Sequence, residues 1–210
     1  MLLRAAQHGQ IRAYEVRLRA AVCDDGAMSF ADHVARFLPD GAQAVIAPVR
    51  AGVAERLPGF RVLRVAPAQA GEPWVYATCG AAQSAVDGED GAEYVLLAPE
   101  QDPVLVEMLA TLATVNADAQ EKFGVGSIIA LGRPWLTGSW ATYLLVLPPY
   151  PFAPGFETYE DGERSAVVLW LVPILTAEAQ YVRSRGHRAL EQLIETRKAN
   201  VADPRRASVV

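Results

Sequence analysis

The stretch EYVLLAPEQDPVLVEMLATLATVNA, residues 93–117, decides the fold class. Its opening run, Glu93 to Ala98, encloses Tyr94-Val95-Leu96-Leu97 and is apolar enough to lie inside a sheet. Asp102 is a good N-cap, and Pro103 suits the first helical position, where a missing N–H costs nothing. Val104, Leu105, Met108, Leu109, Leu112 and Val115 then recur on one face, which predicts a core-facing helix from Pro103 to about Ala117. A buried strand feeding a capped helix is the signature of a domain that mixes the two element types.

Outward from this unit the pattern continues. Upstream, Ala44–Val49, Phe60–Ala66 and Trp74–Cys79 are short β-branched or aromatic runs separated by Gly and Pro, and each reads as a strand. Gly80 to Gly91 reads as a polar loop. Downstream, Trp140–Leu147 and Ala166–Pro173 are apolar at nearly every residue, as central strands are. Thr176 is placed to cap a helical region from Ala177, which Gly186 interrupts. His187 to about Lys198 resumes it, with Leu190, Leu193 and Ile194 inward. Strands and helices mix without strict βαβ alternation, so the expected class is α/β in the α+β sense: one domain with a central mixed β-sheet flanked by helices.

The N-terminal part differs. Leu3, Ala6, Ile11, Tyr14, Leu18 and Val22 recur at helical spacing, and Cys23-Asp24-Asp25-Gly26 then breaks the pattern. Residues 1–27 are therefore expected to be a helical extension and 28–210 the domain. Ser29 would cap a short helix, Phe30 to Leu38, and Met28 stands as an alternative translation start. The extension contains no continuous apolar h-region, because Arg4, Arg12, Glu15, Arg17 and Arg19 punctuate it. The longest apolar run, Ala166 to Leu175, contains Pro173 and is half the ~20 residues that a membrane helix needs.

Charge and residue usage exclude several function classes. The 210 residues carry 19 Lys and Arg against 24 Asp and Glu, a formal net charge of −5, which disfavours nucleic acid. The basic cluster Arg197, Lys198, Arg205 and Arg206 reads as a solvated tail. Cys23 and Cys79 form no CxxC pair and suit a reducing cytoplasm. His8, His33 and His187 fall in separate predicted helices, so no metal site is expected. Ser127 and Ser139 sit in glycine-containing turns, with no GxSxG around either. Gly124-Val125-Gly126 lacks the third glycine of a dinucleotide fingerprint and the Gly-Lys-Ser/Thr of a P-loop. The carboxylate pairs Asp24-Asp25, Glu89-Asp90 and Glu160-Asp161 lie in polar loops. Neither a catalytic residue nor a cofactor is expected.

One segment stands out as a binding element. Pro148-Pro149-Tyr150-Pro151-Phe152-Ala153-Pro154-Gly155-Phe156, continuing to Tyr159, joins two strands that read as central. Such a connection should run over the surface, where loops commonly carry function. Prolines stiffen it, so docking costs less ordering entropy, and its aromatics can each bury a large area. Tyr150, Phe152, Phe156 and Tyr159, supported by Trp135 and Trp140, are the expected partner-binding residues. The alternative is that these rings fold back over the sheet.

From about Glu72 onward the order of segments resembles the Suppressor of fused domain family of bacteria and of the N-terminal part of the animal regulator. Glu-Pro-Trp-Val-Tyr-Ala-Thr-Cys-Gly (72–80) is similar to the family's strand ending in Thr-x-Gly. Glu-Tyr-Val-Leu-Leu-Ala-Pro (93–99) is similar to its strand before a helix, and Leu112-Ala113 to the end of that helix. Tyr-Leu-Leu-Val-Leu-Pro-Pro (143–149), Leu-Trp-Leu-Val-Pro-Ile-Leu-Thr-Ala-Glu (169–178) and Asp-Pro-Arg-Arg-Ala-Ser-Val (203–209) extend the likeness. Phe-Gly-Val-Gly-Ser-Ile-Ile (123–129) falls where many members carry Gly-His-Thr-Ile, but the histidine is missing. The resemblance implies a mixed α/β domain without a cofactor that binds another protein. A bacterial immunity protein neutralising a toxin is one such role, and a homo-oligomer is compatible with it. An enzyme, hydrolase-like, with a dispersed site and a purely self-associating structural subunit are the other two readings.

Overall fold

The computed structural model of the chain describes residues 30–38, 42–47, 49–85, 91–119, 122–161 and 164–210. The expected helix within 1–27 and the Ser29 cap lie outside these residues. Among the described residues there are five α-helices and eight strands. They run α1 (Phe30–Arg36), β1 (Gln43–Ala47), α2 (Ala51–Arg56), β2 (Arg61–Ala66), β3 (Trp74–Cys79), β4 (Gly91–Ala98), α3 (Pro103–Asp118), β5 (Ile128–Ala130), β6 (Tyr143–Leu147), β7 (Thr158–Asp161), β8 (Arg164–Ile174), α4 (Thr176–Arg185) and α5 (His187–Thr196).

All eight strands join one sheet in the order β1-β2-β3-β4-β8-β6-β5, with β7 also on β8. Only β4 and β8 pair in parallel, Gly91 to Leu96 against Ala166 to Leu171; the other pairings are antiparallel. The expected mixed α+β sheet is what forms. Helices and loops cover both faces, which is why the central strands lack alternation. Val95, Leu145, Leu147, Val168, Trp170 and Val172 face one core with α1, α4 and α5. Tyr94, Leu96, Leu144, Val146, Leu169 and Leu171 face the other with α3.

Local chemistry explains the element ends and the departures from expectation. The Val104 N–H donates to Asp102 Oδ1 at 2.8 Å, capping α3 as read. Val115, expected inward, is instead 51% exposed. Asn116 turns inward in its place because its Oδ1 accepts the Phe123 N–H at 2.8 Å and anchors the chain leaving the helix. Helix α4 starts at Thr176, so Leu175 is the N-cap position. The Glu178 carboxylate reaches back there to accept the Leu175 N–H at 2.9 Å, a role that Thr176 cannot fill from inside the helix. The short elements α2, β5 and β7 have too few residues to show a period. At Gly91 a Cβ would lie 2.4 Å from the Ala82 carbonyl oxygen, so only glycine lets the 82–84 turn pack against β4. Beside it Glu93, buried in β4, accepts from Thr78 Oγ1 at 2.5 Å and from the Gly80 and Ala82 N–H groups.

Candidate functional site

The register of β8 shows what the proline-rich segment is. β6 pairs with residues 170–174 of β8 and β7 with residues 164–167, both antiparallel. Residues 148–157 thus interrupt a path that would otherwise follow β8 continuously. Ten residues bridge a two-residue gap, so they must leave the sheet. The excursion is shaped by tight turns, with the Tyr150 N–H on Pro148 O at 2.8 Å, Phe152 N–H on Pro149 O at 3.0 Å and Phe156 N–H on Ala153 O at 3.2 Å.

Its far end folds inward onto α1. Phe156 is fully buried and Tyr159 nearly so. Phe152 stacks on Phe156 with centroids 4.0 Å apart, and Phe37 meets Phe156 edge-on at 5.2 Å. Phe30 packs edge-on against Tyr159. At the centre His33 Nε2 bonds the Phe156 carbonyl oxygen at 3.1 Å. Burial lowers the His33 pKa below its ordinary value. Phe30, His33 and Phe37 recur on one side of α1 and its exit, a spacing that was available in the sequence as a partner stripe for the loop.

The near end of the excursion stays outside. Tyr150 is 39% exposed, and its hydroxyl interacts with the Glu191 carboxylate on α5. Burial, followed by that carboxylate, raises the Tyr150 pKa; burial also raises that of Glu191. His187, one turn before Glu191, has Nε2 3.8 Å from Glu191 Oε1. A Cβ on Gly126, whose φ is 91°, would come within 2.9 Å of His187 Nδ1. An imidazole therefore lies against Gly126, supplied by α5. The His187–Glu191 spacing of i, i+4 was the legible signal for this cluster.

The six expected partner-binding residues do not form one patch. Trp135 is buried in the core on the α3 face, and Phe156 and Tyr159 are buried in the opposite core. These three rings are packing residues in this conformation because the excursion and the β5–β6 connection curl back onto the sheet. Trp140 is 72% exposed, and Tyr150 and the half-buried Phe152 flank the first turn of the excursion. Trp140 precedes β6 and Tyr150 follows it, so a strand of five residues, roughly 16 Å, lies between them. Ser127 and Ser139 serve turns: Ser127 Oγ accepts the Gly124 N–H and Ser139 Oγ the Ala141 N–H. Among the described residues no three His, Cys, Asp or Glu side chains converge as a metal site, and no helix is long and apolar enough to cross a membrane.

Comparison with known proteins gives a consistent picture. The family model of Suppressor of fused protein (SUFU) matches residues 56–207. The crystal structure of a protein from Neisseria gonorrhoeae FA 1090, described as a suppressor of fused homolog, superposes with a TM-score of 0.69 at 28% identity, covering 80% of this chain and 87% of that one. A Sufu–Fu complex superposes with a TM-score of 0.63 at 12% identity, covering 86% and 90%. Drosophila Suppressor of Fused gives 0.52 at 13% identity, covering 80% of this chain and 42% of that one. No curated protein matches the sequence.

Proposed function

The chain belongs to the Suppressor of fused family, and from that premise we propose that it acts by binding another protein, with no catalysis of its own. The observation that carries this reading is Trp140, a ring 72% exposed while its neighbours Ser139 and Ala141 are buried. Rigidly mounted, exposed tryptophan and tyrosine side chains are the commonest anchors of protein interfaces. Tyr150, held on a proline-stiffened turn, and Phe152 beside it form a second anchor point beyond the other end of β6. The solved Sufu–Fu complex supports a binding role by kinship in fold; its extension to this chain is our step.

The finer reading is an immunity protein of the bacterial cytoplasm whose partner is a toxin. A net charge of −5 suits a basic toxin through electrostatic steering. The test has two arms. If a toxin gene adjoins this one, growth of cells expressing that toxin should be rescued by the wild-type chain, and failure of rescue removes the immunity role while leaving partner binding open. Trp140→Ser and Tyr150→Ser should each weaken binding of the captured partner by about 2 kcal/mol or more with the Tm nearly unchanged. Unaltered affinity in both variants would place the interface elsewhere.

A further inference from the structure

A cavity of about 20 Å³ lies between α5, the ends of β6 and β8, and the first turn of the excursion, lined by Leu147, Pro151, Trp170, Glu191, Ile194 and Val201 among others. Its walls are aliphatic except at two points. Trp170 is 4% exposed, and its indole Nε1–H, a donor only, has no hydrogen-bond partner among the described residues. Glu191 Oε1, an acceptor, is likewise buried without one. His187 Nε2 at 3.8 Å is too distant to supply that bond. Of the four buried side-chain polar atoms in this condition among the described residues, these two alone belong to residues that line this cavity, and they are complementary.

We propose that this cavity is a hydration site, in which one ordered water accepts from Trp170 Nε1–H and donates to Glu191 Oε1. Size is compatible with this ligand: a cavity holds a water once its volume reaches about 10–15 Å³, and this one, near 20 Å³, exceeds that. Chemistry agrees, since buried polar groups in native proteins are almost always partnered, by water where protein atoms do not reach. The bridge couples the sheet, through β8, to the carboxylate that interacts with Tyr150. Trp170 and Glu191 thereby become positioning residues for the Tyr150 ring. The inference stands apart from partner binding and does not need it.

Nuclear magnetic resonance reads the site directly. The Trp170 indole proton, assigned by its loss in Trp170→Phe, should show a cross-peak to a long-lived water. It should also exchange at least about tenfold more slowly than the indole of exposed Trp140. Glu191→Gln keeps an acceptor and should retain the cross-peak, whereas Glu191→Leu, of similar volume, should abolish it. A wild-type Trp170 indole with no such cross-peak overturns the proposal, as does its persistence in Glu191→Leu. Should Glu191→Leu fail to fold, the wild-type spectrum alone decides.

Discussion

At His33 burial among Phe30, Phe37, Phe156 and Tyr159 penalises the charged form of the imidazole. Its folded pKa is below the ordinary 6.5, so the unfolded chain binds the proton first as pH falls. The stability that His33 contributes is complete above pH 6.5 and is lost as pH drops through that value toward the folded pKa. Glu93 works in the opposite sense. Burial raises its pKa to about 7 from 4.5, so its contribution declines as pH rises between those values. The two effects overlap, and comparison with a variant separates them. His33→Gln keeps a donor for the Phe156 carbonyl and cannot titrate, so its urea-unfolding free energy should fall less steeply than that of wild type below pH 6.5. Parallel acid limbs would show that His33 is not protonated on unfolding. This residue was visible in the sequence as a structural histidine, but its partner, the carbonyl of Phe156 123 positions away, was not.

The C-terminal tail shows how an element without periodicity can still be tightly held. Arg206, in the segment 203–209, is 8% exposed and forks onto Glu178, itself fully buried in the first turn of α4, at 2.6 and 2.7 Å. Arg206 also donates to Pro173 O of β8, and the Val209 N–H donates to Glu178 Oε1. Burial alone would raise the Glu178 pKa, but these donors hold it below the usual carboxylate value. Reading Arg206 as part of a solvated basic tail was therefore wrong for this residue: it is paired and buried, while Arg205 stays exposed. Arg206→Ala strands a buried carboxylate and should cost about 3–5 kcal/mol of unfolding free energy, measured by denaturant titration. Pairing it with Glu178→Gln, which removes the stranded charge and keeps an acceptor for the Leu175 and Val209 N–H groups, should recover part of that loss. A single variant as stable as wild type would mean that the tail is not fastened there. The excursion after β6 shows the converse, because its aromatic spacing looked like a surface display and half of it turned inward.

For the whole molecule, the family match begins at residue 56, and Cys23-Asp24-Asp25-Gly26 breaks the sequence pattern ahead of Phe30. Deleting residues 1–27 should therefore leave a soluble domain whose Tm lies within a few degrees of the full chain. An insoluble product, or a Tm lower by ten degrees or so, would show that the extension packs into the core. The sequence by itself determined the mixed class and the long central elements. Runs such as Tyr94–Leu97 and Ala166–Pro173 carry their burial in their own composition, and Asp102-Pro103 writes a helix start in adjacent residues. Only the tertiary structure decided which aromatics remain outside. Whether a ring on a loop is an anchor or a core residue depends on what faces it across the fold. For Phe156 that is His33 and Phe37 on α1; for Tyr150 it is Glu191 on α5; for Trp140 it is solvent. The strand order that puts β4 parallel to β8, and the cavity that Trp170 and Glu191 both line, have the same origin. Each is set by contacts between residues distant in the chain, where local propensity and spacing carry no information.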